Sequence, residues 1–277
     1  MASYKGHAYC RIEFINLLRK LSKPDNVDVL IVWNGDQLMD YQKEFKVIEF
    51  NDKGLTAAEL LAAKQNVIRD YVLENDYSHL LMLESDTFCP DDSLEQLLSH
   101  KLDYVAGVYL TRSVRKHNTE IPEEQKKILL EKTGKSIDYV MALEEKLETT
   151  AWVIHRDDFG DSSSVRKWEV NDYISHLLSK DRHPVVPVLA SALGCVLMTK
   201  KCLELVKFEN KNDTIGDFNF GRDLYMSGIQ PYVDMNVYAE HRHIQGNSRV
   251  IKHKFFDSVK LTKSYDKKPP EAIVNVK

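Results

Sequence analysis

The chain has 277 residues, 43% hydrophobic and 29% charged, with a formal net charge of -4 and a pI near 6.2. That balance is ordinary for a globular protein and argues against a nucleic-acid binder, whose domain would be basic. No apolar run is long enough to span a bilayer, the first residues lack the apolar core of a signal peptide, and the four cysteines (Cys10, Cys89, Cys195, Cys202) have neither metal-ligand nor secretory spacing, so buried thiols in a cytoplasmic setting are expected.

Cys10, Phe14, Leu17, Leu18 and Leu21 follow helical spacing, which predicts an amphipathic helix over 8–21 that Pro24 and Asp25 end. Val27 to Trp33 is a β-branched apolar run closed by the turn Asn34-Gly35-Asp36, and Val47 to Phe50 is a short strand. Thr56 and Glu59 form a capping-box pattern that opens a helix running to about Glu74. The apolar run His79 to Leu83 then reads as a buried strand, and it stops at two carboxylates one residue apart, Glu84 and Asp86. Asp92 and Glu95 repeat the capping-box pattern ahead of a short helix, with Asp91 and Asp92 as its caps, and Tyr104 to Leu110 is the next strand. Strand alternating with helix predicts an α/β fold with a mixed, mostly parallel central sheet flanked by helices.

Residues 112–184 differ in character: they are rich in Lys and Glu, and Ile128, Leu129, Ile137, Val140 and Met141 show helical periodicity. A helical insertion or lid is expected there, with one strand over Thr150 to His155 and a helix carrying Val170, Tyr173 and Leu177. Strand character returns from Val185 to Met198, a short helix follows from Cys202, and a further helix spans Asp217 to Met226 with Gly228 placed for a left-handed cap. Tyr232 to Val237 is strand-like, and residues 246–277 form a Lys-rich tail.

Two signals carry chemistry. Glu84 and Asp86 share one face of the chain at the carboxyl end of a strand, where open α/β sheets bind ligands. Paired hard oxygen donors there suit Mg²⁺ or Mn²⁺; the duller alternative is that Asp86 only satisfies a turn before Pro90. Far downstream, Asp217 places a carboxylate at a helix start and His241 an imidazole at a strand end.

The order of these pieces resembles the nucleotide-sugar-dependent glycosyltransferases of the GT-A fold, of the large inverting family-two type, over roughly 2–110 and 185–245. Val29 to Asp36 looks like that family's nucleotide-recognition turn, Leu80 to Asp86 like its Asp-x-Asp metal signature, Leu193 to Met198 like the strand beside its acceptor site, and Asp217 to His241 like its base and final metal ligand. The resemblance implies a Rossmann-like GT-A catalytic domain over 1–245, with a nucleotide-binding half (1–110), an insertion or acceptor lid (112–184) and an acceptor and catalytic half (185–245). It implies a UDP- or GDP-sugar donor, Mn²⁺ or Mg²⁺ held by Asp86 and His241, and Glu84 supporting the metal or ribose. Asn34 or Asp36 would meet the nucleoside, Arg249 the diphosphate, and Asp217 would be the general base, with Arg222 beside it. The acceptor would be a hydroxyl of a glycan, lipid or protein. Trp152 and Trp168 are candidate sugar-stacking or core residues. The chain departs from the pattern at Glu84, which replaces Asp; at Gly216, where inverting members carry Glu; at Trp33, which replaces Asp; and in a short first strand. A catalytically silent scaffold and a sugar-phosphate nucleotidyltransferase are the alternative readings.

Overall fold

The computed structural model describes residues 10–34, 39–51, 54–120, 123–133, 139–156, 163–210, 216–245 and 247–251. The first helix, α1 (Arg11–Leu21), buries Phe14, Leu17, Leu18 and Leu21, the stripe that its spacing predicts. Next come β1 (Leu30–Trp33), the single turn α2 (Met39–Gln42) and β2 (Lys46–Glu49), which pairs parallel with β1. The capping box of α3 (Ala57–Glu74) forms as expected: Glu59 N–H donates to Thr56 Oγ1 at 3.3 Å, and Thr56 N–H donates to Glu59 Oε2 at 2.8 Å. Two orphan donors of the first turn are thereby satisfied.

After β3 (His79–Leu83) and the short β4 (Thr87–Phe88), α4 (Ser93–Ser99) has Asp92 at its N-cap, but Asp92 makes no cap bond through its side chain. The expected second capping box is therefore not formed, and Asp91 instead pairs with Lys20 of α1 at 2.9 Å. Then follow β5 (Tyr104–Val108), β6 (Leu110–Glu120), α5 (Glu123–Thr133), β7 (Tyr139–Arg156), β8 (Ser163–Glu169) and α6 (Val170–Leu178). The last part contains β9 (Val185–Pro187), β10 (Ala190–Ser191), β11 (Cys195–Thr199), α7 (Lys200–Leu205), α8 (Gly216–Met226), β12 (Tyr232–Tyr238), β13 (Glu240–Gln245) and β14 (Asn247–Ile251).

The central sheet has strand order β3-β11-β5-β12-β9, and apolar clusters fill both faces. Helices α3, α7 and α8 cover one face through Ile68, Val72, Leu203, Phe220 and Leu224. Helices α1 and α4 cover the other through Phe14, Leu18 and Leu97. The α/β class with flanking helices stands, but the expected mostly parallel sheet needs correction. Strands β3, β5 and β12 run one way, yet reversed β11 sits between β3 and β5, and reversed β9 closes the edge, so only β5 and β12 are parallel neighbours. A fully apolar run such as Cys195–Met198 signals burial on both faces, and burial carries no information about strand direction.

The expected helical insertion is mainly β. Strands β6 and β7 pair antiparallel from Leu110 opposite Thr149 to Glu120 opposite Tyr139, with β8 on the other edge of β7. Only α5 answers the helical periodicity; Val140 and Met141 fall in β7. Ladder pairing overrides the Lys- and Glu-rich local propensity here. Within the expected tail, β14 pairs antiparallel with β13, and residues 252–277 lie outside the described residues.

Among the described residues β1 pairs only with β2, and β3 only with β11. Between those edges lies a cavity of about 520 Å³ lined by Leu30, Leu80, Leu18 and Ile68. None of Glu84, Asp86, Asp217 or His241 lines it.

Helix α8 can approach β10 because residue 221 is glycine: a Cβ there would lie 2.6 Å from Ala190 Cα. Backbone cannot give way as a flexible side chain can. Gly221→Val is expected to lower the unfolding free energy by about 1–3 kcal/mol through overpacking. Urea denaturation checks this, and an unchanged midpoint would contradict the close approach.

Candidate metal centre

The chain leaves β3 at Leu83 and turns at once. Glu84 N–H donates to the Gly194 carbonyl at 3.1 Å, which holds the turn against the start of β11, and Thr87 N–H closes it on the Glu84 carbonyl at 3.0 Å. Buried Cys10, which caps α1, donates its thiol to the Ser85 carbonyl at 3.1 Å. Beyond the turn β4 pairs with β13, placing His241 opposite Thr87 and Glu240 opposite Phe88, and Arg242 N–H donates to the Asp86 carbonyl at 2.8 Å. A distant strand thus delivers an imidazole beside the two carboxylates.

One ligand atom from each of Glu84, Asp86 and His241 lies within 4.8 Å of the others. His241 Nε2 is 3.4 Å from Asp86 Oδ2. The imidazole is held from below by Tyr109, whose ring centroid is 5.3 Å away at an interplanar angle of 35°. Gly194 N–H donates to the Tyr109 hydroxyl at 3.2 Å, and a Cβ on Gly194 would lie 2.5 Å from that oxygen. On the outer side the Arg242 guanidinium lies over Phe88, 4.0 Å from its centroid, and pairs with Glu13 of α1. Two carboxylates and an imidazole form a donor set suited to Mn²⁺ or Mg²⁺.

Asp217, at the start of α8, is buried, and its Oδ2 accepts from Leu193 N–H at a long 3.4 Å. Its Oδ1 is buried without a hydrogen-bond partner. Burial raises its carboxyl from 3.8 to about 6, while the Leu193 bond and the Lys167 ammonium, carried on β8, act in the other direction. Glu84 is raised well above the ordinary carboxylate range, first by burial and then by the charges of Asp217 and Asp86. Burial likewise raises the Tyr109 hydroxyl, and the charges of Glu84, Asp217 and Asp86 add to the effect. Glu84 therefore stands beside two further carboxyl groups in a poorly solvated place, where a proton or a cation offsets its charge.

The structure brings Glu84, Asp86 and His241 together and sets Asp217 near enough to perturb Glu84. Asn34 is buried just past β1, where it accepts from Lys64 of α3. Asp36 lies outside the described residues, and of Arg249 only the backbone, opposite His243, is described. Arg222 points to its neighbour Asp223, at 2.8 Å, rather than to Asp217. The Trp168 ring lies 5.4 Å from that of His176, and Trp152 is placed only by its backbone, opposite Ala190 and Lys167. Sequence reasoning missed Tyr109, Lys167 and Lys64. Lys64 had a detectable signal, because it stands four residues before Ile68 on the buried stripe of α3.

No family model matches the chain, and no curated protein does. Among solved structures, the chain is similar to GalNAc-T7 with UDP, GalNAc and Mn²⁺, at a TM-score of 0.50 and 8% identity, over 88% of this chain and 43% of that one. It therefore spans less than half of the GalNAc-T7 chain. A197 from STIV matches at a TM-score of 0.38 and 13% identity, over 82% of this chain and 100% of that one. The likeness to GalNAc-T7 supports a Rossmann-like GT-A, glycosyltransferase-like fold for this chain. No described helix is long and apolar enough to cross a membrane.

Because Asp217 is an acid with a raised value, its folded form binds a proton more tightly than the unfolded chain does. Its contribution to stability is full below about pH 4, then falls as pH rises through about 6. In metal-free buffer, Asp217→Asn is expected to flatten the fall in thermal midpoint between pH 4 and 6 and to raise the midpoint at pH 7. Parallel melts of the two proteins across that range test this, and identical pH profiles would contradict it.

Proposed function

We propose that this protein is a metal-dependent glycosyltransferase that moves a sugar from a nucleoside-diphosphate sugar, UDP- or GDP-linked, to a hydroxyl of a glycan, lipid or protein acceptor. The observation that carries this reading is the meeting of Glu84, Asp86 and His241 at the carboxyl end of β3 in a GT-A fold. That GalNAc-T7 was solved with UDP, GalNAc and Mn²⁺ supports the choice of donor and ion class.

In this reading Asp86 and His241 hold the cation directly, and Glu84 supports it through water or the ribose. The cation, Mn²⁺ or Mg²⁺, would offset the charge that develops on the leaving diphosphate. Asp36 and Arg249 belong to the donor side, with Asn34 at the nucleoside. Residues 1–110 form the nucleotide half, 112–184 border the acceptor and 185–245 complete the catalytic half. Asp217 takes the proton from the acceptor hydroxyl as it attacks the sugar from the face opposite the diphosphate, which inverts the anomeric centre. A carboxyl raised to about 6 suits that role, because a base works best when its affinity for protons lies near the working pH. Gly216, in place of the family's Glu, is the observation that favours a silent scaffold as the second reading.

Two variants test the assignment against a panel of UDP- and GDP-sugars, scored for donor hydrolysis and transfer. Asp86→Asn is expected to weaken Mn²⁺-dependent binding of the nucleoside diphosphate about tenfold or more. Asp217→Asn is expected to bind donor normally and to lose about 10²–10⁴-fold in turnover. Unchanged binding in the first variant removes the metal assignment, and full turnover in the second removes the base. Absence of both hydrolysis and transfer in the wild-type protein would favour the silent scaffold.

A further inference from the structure

Tyr109 directly follows the carboxyl end of β5, and only 2% of it is exposed. It is held at both ends. Its N–H donates to Thr150 Oγ1 at 3.3 Å and its carbonyl accepts from Thr150 N–H at 3.1 Å, so β7 of the inserted ribbon grips its main chain. Its hydroxyl accepts from Gly194 N–H at 3.2 Å. Filling a core here needs no hydroxyl, since phenylalanine has nearly the same volume, and a buried hydroxyl must find a partner.

The grip on the hydroxyl belongs to the same loop that shapes the acidic turn. Strand β11 runs between β3 and β5, and Gly194 stands just ahead of it. The Gly194 carbonyl takes the Glu84 N–H while its own N–H meets Tyr109. A Cβ at this position would lie 2.5 Å from the Tyr109 hydroxyl oxygen and 2.8 Å from the ring carbon that bears it. Only glycine therefore admits the tyrosine ring where it stands.

The ring fixed in this way lies against the His241 imidazole, tilted by 35° with centroids 5.3 Å apart. An imidazole at a strand end can turn about two side-chain bonds, and an immobile ring beside it removes most of those orientations. The orientation kept places His241 Nε2 3.4 Å from Asp86 Oδ2. Groups that orient a metal ligand from behind raise affinity because the ligand is ordered before the ion arrives.

We propose that Tyr109 is a positioning residue of the metal centre: its ring, anchored by Thr150 and Gly194, holds the His241 imidazole in the orientation that ligates the cation. The inference rests on the metal reading above and adds a residue that touches neither cation nor substrate and acts through His241. It also gives the inserted ribbon, through Thr150, a part in shaping the metal centre.

The test titrates Mn²⁺ alone, without nucleotide, into the full chain and follows the electron paramagnetic resonance of the free ion, with a thermal melt of each variant alongside. Tyr109→Phe keeps the ring and removes the hydroxyl; it is expected to melt lower than wild type and to keep nearly all of its Mn²⁺ affinity. Tyr109→Leu removes the ring and is expected to weaken Mn²⁺ binding about tenfold or more. In a His241→Ala background the same Leu substitution is expected to cost no further affinity, because nothing is left for the ring to orient. Should Tyr109→Leu fail to fold, Gly194→Ala, which displaces the ring, takes its place in both backgrounds with the same expected loss. A merely structural role would lower the melts and leave Mn²⁺ affinity unchanged. Wild-type affinity in Tyr109→Leu, an equal loss in Phe and Leu, or a loss that persists in the His241→Ala background overturns this inference and leaves the metal reading standing. If the wild-type protein binds neither Mn²⁺ nor Mg²⁺, the metal reading itself fails.

Discussion

The short pairing between β4 and β13 is the contact on which the site depends. Two residues of β4 meet two of β13, and the Arg242 amide adds a bond to the Asp86 carbonyl. Through these few bonds an imidazole from the far end of the chain comes to stand beside the acidic turn. The Arg242 guanidinium, lying over Phe88 and paired with Glu13, ties the same junction to α1, while Tyr109 supports the His241 ring. Closing so long a loop costs entropy, and the surrounding core offsets that cost through fully buried residues such as Leu193, Val196 and Val237.

Electrostatics explain why such a site needs so much scaffolding. Glu84 feels the charges of Asp86 and Asp217, and burial disfavours charge on both Glu84 and Asp217. Left alone, Glu84 and Asp217 hold a proton more tightly than exposed carboxyl groups do. A bound cation would favour their charged forms, and the imidazole of His241 offers a nitrogen donor beside Asp86. The Lys167 ammonium moderates Asp217 from β8, so the inserted β-ribbon takes part in the electrostatics of the acidic cluster.

Much of this was legible in the chain. An apolar run cut off by two acids implied a buried strand ending at a binding edge, and β3 with Glu84 and Asp86 has that form. The Thr56 and Glu59 pattern gave a real capping box because its two bonds are local. The identical-looking pattern at Asp92 did not: its side chain makes no cap bond, and neighbouring Asp91 pairs with Lys20. What was not legible is non-local. The reversal of β11, the pairing of β6 with β7 and the burial of Lys64 all depend on which segments meet. Residue type and spacing constrain such meetings only weakly. Asp217 was found as an acid at a helix start, but its raised proton affinity comes from burial, which composition does not reveal.

The central claim is that Glu84, Asp86 and His241 form one binding place for a divalent cation that carries a nucleoside diphosphate. Its most direct test is anomalous diffraction from crystals grown with Mn²⁺ and UDP, recorded at the manganese edge. The account predicts one strong anomalous peak within coordination distance of both Asp86 and His241, with diphosphate oxygens completing its shell. UDP bound in the crevice with no anomalous peak between those two side chains, or with manganese held elsewhere, would contradict it.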